Sequence, residues 1–250
     1  MIYTCYEMIR DCRADKVEGW SYFVANYTPV IAKLVAHYGG DVESTLIALR
    51  QPGSGPFQSM EPSPERWFVG EVRQRIVAAA PAPKVEMPLD LETVAAALEP
   101  LTTTEKQVAW FESMRFSPPQ TAEALRMAPA TVEKIRQRAG EMIRAKVDSW
   151  RRDMLAENGR SLGREAAQAE TKDCLPSKTF LDILDGRSTW RGREETESHA
   201  GKCWHCIDHF CRMAEVIEVL RGVKPLSESD AAPWKKKLGI ETAKKAFWRR

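Results

Sequence analysis

A chain of 250 residues with 43% hydrophobic side chains can build one large core or two to three small ones. Its 37 Lys and Arg against 35 Asp and Glu leave +2, so no global field drives it onto nucleic acid or membrane, and any basic surface is local. No stretch approaches the roughly 18 apolar residues of a membrane span, and MIYTCYEMIRDCRADK has acids where a signal peptide has its apolar core; a cytoplasmic protein with reduced thiols is expected.

Strand-like alternation is nearly absent and apolar residues recur at i, i+3, i+4, which predicts an all-α fold. In the first segment, residues 1–80, the stripe Trp20, Phe23, Val24, Tyr27, Ile31, Leu34 and Val35 marks one long helix, and Cys5 and Cys12 read as small buried apolar residues. RQPGSGPFQSMEPSPE reads as a turn or loop. The proline-rich AAAPAPKVEMPLD is an extended spacer, and residues 81–95 are expected to be a linker.

The second segment, residues 96–155, opens with LTTTEKQVAWFESMRF, whose Thr run caps a helix carrying Val108, Phe111 and Met114. SPPQ ends that helix, TAEALRM forms a short one, and Thr131 is the expected N-cap of a third. In the third helix Val132, Ile135 and Ala139 form the buried stripe, leaving Glu133, Lys134, Arg136, Gln137 and Arg138 toward solvent. This is the outline of a helix-turn-helix. From Thr131 to Arg152 seven basic and three acidic residues give a local balance of +4, suited to phosphate, with Arg and Gln near the helix start able to reach base edges. The same pattern also fits a helical bundle with a charged outer face.

LEPLTTTEKQVAWFESMRFSPPQTAEALRMAPATVEKIRQRA resembles region 4 of the extracytoplasmic-function sigma factors, over about forty residues. The resemblance implies a module that reads the upstream promoter element and touches the RNA polymerase core, with Thr131, Lys134, Arg136, Gln137 and Arg138 facing DNA. GWSYFVANYTPVIAKLVAHYGGD and PERWFVGEVRQRI are similar to the opening and closing helices of sigma region 2. Between them the likeness stops: VESTLIALRQPGSGPFQSM lacks the acids and aromatics of the family's polymerase-clasping, promoter-melting helices, so the region 2-like segment is degenerate.

Residues 156–171, small and polar, are expected to be a second linker, followed by a domain over residues 172–224 and a basic tail over residues 225–250. In the domain, HAGKCWHC holds two of six cysteines and two of four histidines. His199, Cys203 and Cys206 form HxxxCxxC, with Gly201 stopping one helix and the next beginning near Cys203, where the helix dipole favours thiolates. A tetrahedral zinc needs a fourth donor: Cys174, opening CLPSKTFLDILDG, is the best candidate, with His205, His209 and Cys211 as nearby substitutes. The spacing resembles the zinc-binding anti-sigma domain, in which an upstream Cys or His precedes HxxxCxxC by some twenty-five residues; here Cys174 and His199 are 25 apart.

The expected function is therefore a sigma-factor-like transcription regulator that binds promoter DNA and RNA polymerase, with a fused zinc-binding, anti-sigma-like domain. Fusion raises the effective concentration of intramolecular sigma/anti-sigma contacts. The alternative is a zinc-stabilised interaction protein, an anti-sigma or adaptor, without sigma activity of its own. No enzymatic function is expected: CWHC lacks the preceding strand of a βαβ redox unit, and no Ser/His/Asp, phosphate loop or paired-carboxylate arrangement is legible.

Overall fold

The structure, a computed structural model, describes residues 3–51, 56–81 and 84–240. Among them are fourteen helices and no strand, as the apolar periodicity predicts. The chain divides into two compact units, Met1–Pro81 with Val219–Arg250, and Ala82–Glu218.

In the first unit, Thr4 and Glu7 cap each other at the start of α1 (Cys5–Arg13), and α2 (Val17–Tyr38) buries every residue of the predicted Trp20-to-Val35 stripe. Asp41 caps α3 (Val42–Arg50). Part of the expected loop is structured: α4 (Pro56–Ser59) inserts Phe57 among Trp20, Phe23 and Phe68, the last on α5 (Glu65–Ala79). The expected tail is partly helical too. Ser227 caps α14 (Glu228–Lys237), which packs on α2 and buries Ala231 and the stem of Lys235. The rest of that tail, 241–250, lies outside the described residues.

The second unit starts inside the expected first linker, where Asp90 caps α6 (Leu91–Leu98) and buried Leu89 donates its N–H to Asn158 Oδ1 at 2.8 Å. Thr102 and Glu105 form the capping box of α7 (Thr103–Ser113). SPPQ does more than end that helix: Ser117 and Gln120 form a second box, with Pro118 and Pro119 as the first turn of α8 (Pro118–Leu125). The N-cap of α9 (Pro129–Arg144) is Ala128, not Thr131, because Pro129 is preset for the first helical position. Val108, Ala122 and Val132 make a small core among α7, α8 and α9.

Residues 156–171 are not a linker. They lie mostly in α10 (Met154–Gln168), whose buried stripe is Met154, Asn158, Leu162 and Ala166. The i, i+4 spacing is regular, but the polar Asn158 interrupts it in sequence; in place, its amide donates to the carbonyls of Met87 and Met154. α11 (Ser177–Leu184), α12 (Trp190–Ala200) and α13 (Trp204–Leu220) follow, and Phe180, Ala200, Cys206, Ile207 and Phe210 join the core built on Trp110 and Phe111.

Candidate metal centre and helix-turn-helix face

The four donors are positioned by three short turns. Cys174 closes a turn on Thr171 (Cys174 N to Thr171 O, 3.0 Å) just before α11. His199 occupies the last turn of α12, which unwinds through Lys202 N to His199 O (3.0 Å) and Cys203 N to Ala200 O (3.1 Å). Cys203 precedes α13, and Cys206 lies in its first turn. One ligand atom from each of Cys174, His199, Cys203 and Cys206 lies within 4.8 Å of all the others, a group able to hold a metal ion. The Sγ atoms of Cys174 and Cys203 are 3.7 Å apart, as two sulfurs sharing one tetrahedral ion at ~2.3 Å each would be. His199 Nε2 is buried without a hydrogen-bond partner among the described residues, which suits a nitrogen whose lone pair goes to a metal.

Backbone N–H groups already address the sulfurs: Thr171 N donates to Cys174 Sγ at 3.2 Å and Leu175 N to Cys206 Sγ at 3.4 Å, the outer bonds that orient metal thiolates. Burial disfavours the Cys174 thiolate, but hydrogen bonds from Thr171, Cys203 and Cys206 outweigh it and bring the thiol below its ordinary value. At Cys206 burial wins, and the thiol is pushed up to about 12. A bound cation reverses that preference, so loading the site releases protons. The substitutes for Cys174 are engaged or set apart. His209 Nε2 lies 2.9 Å from Ser177 Oγ, Cys211 Sγ points to the Gln107 carbonyl at 3.8 Å, and neither they nor His205 belong to the group.

The centre is stitched to α7. Lys106 Nζ donates to Gly201 O at 2.6 Å, capping the end of α12, and Thr103 Oγ1 donates to Glu197 O at 2.8 Å. The Trp110 and Trp204 rings meet at 5.3 Å. Gly201 ends α12 for a reason other than handedness. Its φ of −59° suits any residue, whereas a Cβ there would sit 2.7 Å from Thr103 Oγ1. Sequence reasoning missed these contacts, because the partners of Thr103, Lys106 and Trp110 lie more than ninety positions away.

The five residues expected to face DNA divide. Thr131, Lys134 and Gln137 are exposed on α9, and Gln137 donates to Glu141 one turn on. Arg138 is exposed and pairs with Glu105 at 2.7 Å. Arg136 is turned inward: its side chain is 10% exposed and pairs with Glu112, 8% exposed, at 2.6 Å, tying α9 to α7. It lies four residues beyond Val132 and three before Ala139, on the buried stripe that continues to Ile143, and that spacing was the signal for it.

Comparison with known proteins yields no match among family models, curated proteins or solved structures. No described helix is long and apolar enough to cross a membrane.

Proposed function

We propose that the chain is a non-catalytic transcription regulator of the sigma-factor kind, binding promoter DNA through α9 and the RNA polymerase core through its helix-turn-helix, with a zinc-clamped helical hairpin fused behind it. The observation that carries this reading is the α8–α9 pair. The two helices are joined by a three-residue turn with Arg126 in the left-handed region and fixed by their own small core, so that Thr131, Lys134 and Gln137 stand out from one face. Three thiolates and an imidazole are the donor chemistry of a closed structural zinc site, which Cys174, His199, Cys203 and Cys206 would hold. The ion would supply a cross-link among α11, α12 and α13, and hence folding free energy. Through Thr103, Lys106 and Trp110 that hairpin fixes α7, the helix against which α8 and α9 pack. In this reading it sets how the DNA-facing helix is presented.

The test is promoter-directed transcription and duplex binding by the full chain with core polymerase, beside a triple variant, Thr131→Ala, Lys134→Gln and Gln137→Ala. Transcript or duplex affinity that is lost in a folded triple variant supports the reading; wild-type protein that neither binds duplex nor supports transcription overturns it.

One observation favours the second reading, an adaptor that binds protein. Of the seven basic residues from Thr131 to Arg152, Arg136, Arg138, Arg151 and Arg152 have carboxylate partners. Capture of core polymerase without duplex binding is the outcome that selects it.

A further inference from the structure

Three arginines come together where α10 crosses the end of α7, and among the described residues none has a carboxylate partner. The crossing is a backbone contact: a Cβ on Gly159 would lie 1.8 Å from the Ser113 carbonyl oxygen, so only glycine lets α10 rest there. Arg160 follows Gly159 and Arg115 lies two residues past Ser113, so the contact brings their backbones close, Arg164 stands one turn further along α10, and the charges of Arg115 and Arg164 both act on Arg160. Arg115 is exposed and held in the left-handed region at φ 65°, with its N–H donating to Glu112 O at 3.0 Å. Burial of Arg160, together with the charges of Arg115 and Arg164, lowers its pKa, while a guanidinium stays charged at neutral pH.

The neighbouring acids are committed elsewhere. Glu112 holds Arg136, Glu157 holds Arg151, Glu165 accepts from Leu91 N at 2.7 Å, and Asp208 accepts from Trp110 and pairs with Arg212. Three like charges thus lie in one neighbourhood, and among the described residues none of them has a carboxylate partner. Ser117 opens α8 two residues beyond Arg115, and that helix end adds positive potential. With prolines at its first two positions its own N–H donors are reduced, and the guanidinium groups are the available ones.

We propose that Arg115, Arg160 and Arg164 form a phosphate-binding site, separate from the exposed face of α9, whose ligand is a phosphodiester of the nucleic-acid backbone. The first helix of a helix-turn-helix crosses that backbone, and the site lies at the start of α8. The phosphate chemistry rests on the arginines alone; the source of the phosphate rests on the DNA-binding reading.

The experiment uses the full chain, its Arg160→Gln/Arg164→Gln and Arg115→Gln variants, and Lys178→Gln as a control at an exposed lysine on α11. Arginine Nε–Hε signals are followed by NMR during titration with inorganic phosphate at constant ionic strength, and duplex DNA affinity is measured against salt. The expected result is phosphate-dependent shifts of Arg115, Arg160 and Arg164, and a log–log salt slope that falls by up to about 1 in each variant, as loss of one neutralised phosphate requires, the control remaining at wild type. A reduced slope without a resolvable inorganic-phosphate shift also supports the site. Shifts with an unchanged slope keep the site and overturn the backbone as its source. Shifts in a protein that binds no duplex keep the site, while the transcription reading fails. No shift with an unchanged slope overturns the site and leaves that reading standing; no shift and no duplex binding sinks both.

Discussion

Trp110 of α7 donates its indole N–H to Asp208 of α13 at 2.9 Å, across 98 positions of sequence and with both side chains buried. Asp208 also pairs with Arg212, so its two oxygens are divided between α7 and α13 itself. Trp110→Phe removes the donor together with part of a buried ring that meets Trp204. The stranded acceptor alone is expected to cost about 1–3 kcal/mol and the cavity adds to it, read as a lower urea midpoint of the full chain with helical content retained.

The contact between Gly201 and Thr103 predicts a compensating pair. Gly201→Ala drives a methyl against Thr103 Oγ1 and within 3.1 Å of Glu197 O, and is expected to destabilise by about 1–3 kcal/mol and to weaken metal retention, since His199 sits in the same turn. Adding Thr103→Ala removes the obstructing hydroxyl and recovers part of that loss. A double-mutant cycle on thermal midpoints reads the recovery, and strict additivity contradicts the contact.

One zinc per chain is expected by elemental analysis. Cys174→Ser, His199→Ala, Cys203→Ser and Cys206→Ser each lower the content, and Cys211→Ser, whose thiol is fully buried against Gln107, leaves it unchanged. Acid should release the ion, because protons compete for thiolates and burial already holds the Cys206 thiol up to about 12. Chelation is expected to change the fluorescence of Trp204, which borders Cys203 and meets Trp110.

In the first unit, Asp11 accepts a hydrogen bond from the Tyr3 hydroxyl and others from Lys16 and Arg10, and its pKa is lowered to about 2. A carboxylate depressed in the folded state contributes stability above its unfolded value of about 3.9 and loses it as pH falls through about 2. Unfolding of this unit should therefore ease between about pH 4 and pH 2, and Asp11→Asn should flatten that dependence in chemical denaturation at fixed pH.

The elements and donors that were legible in the sequence share one property: short-range repetition. The stripe of α2, the capped start of α7 and HxxxCxxC are each complete within one stretch of chain, and the 25-residue gap to Cys174 adds only one further position. α10 was illegible because Asn158 occupies an apolar slot and is satisfied by Met87 and Leu89, which no local pattern names. Lys106 was illegible for the complementary reason, since a lysine beside apolar residues looks solvated until the carbonyl it caps is in place.

Arg136 gives the sharpest separation between a DNA contact and a packing contact. Its Nε and Nη1 atoms are buried with no hydrogen-bond partner among the described residues, so Glu112 is its one charged anchor at Nη2. Glu112→Gln leaves a buried guanidinium without its counter-charge and is expected to cost about 3–5 kcal/mol, whereas Arg136→Met with Glu112→Leu replaces the pair by apolar volume and should be close to neutral or stabilising. If Arg136 instead served DNA, the apolar pair would fold normally yet lose duplex affinity and reduce the salt slope by about 1. Unchanged duplex binding by the apolar pair, beside a large stability loss in Glu112→Gln, is the expected result, and under the proposed function it leaves Thr131, Lys134 and Gln137 as the DNA-facing residues of α9.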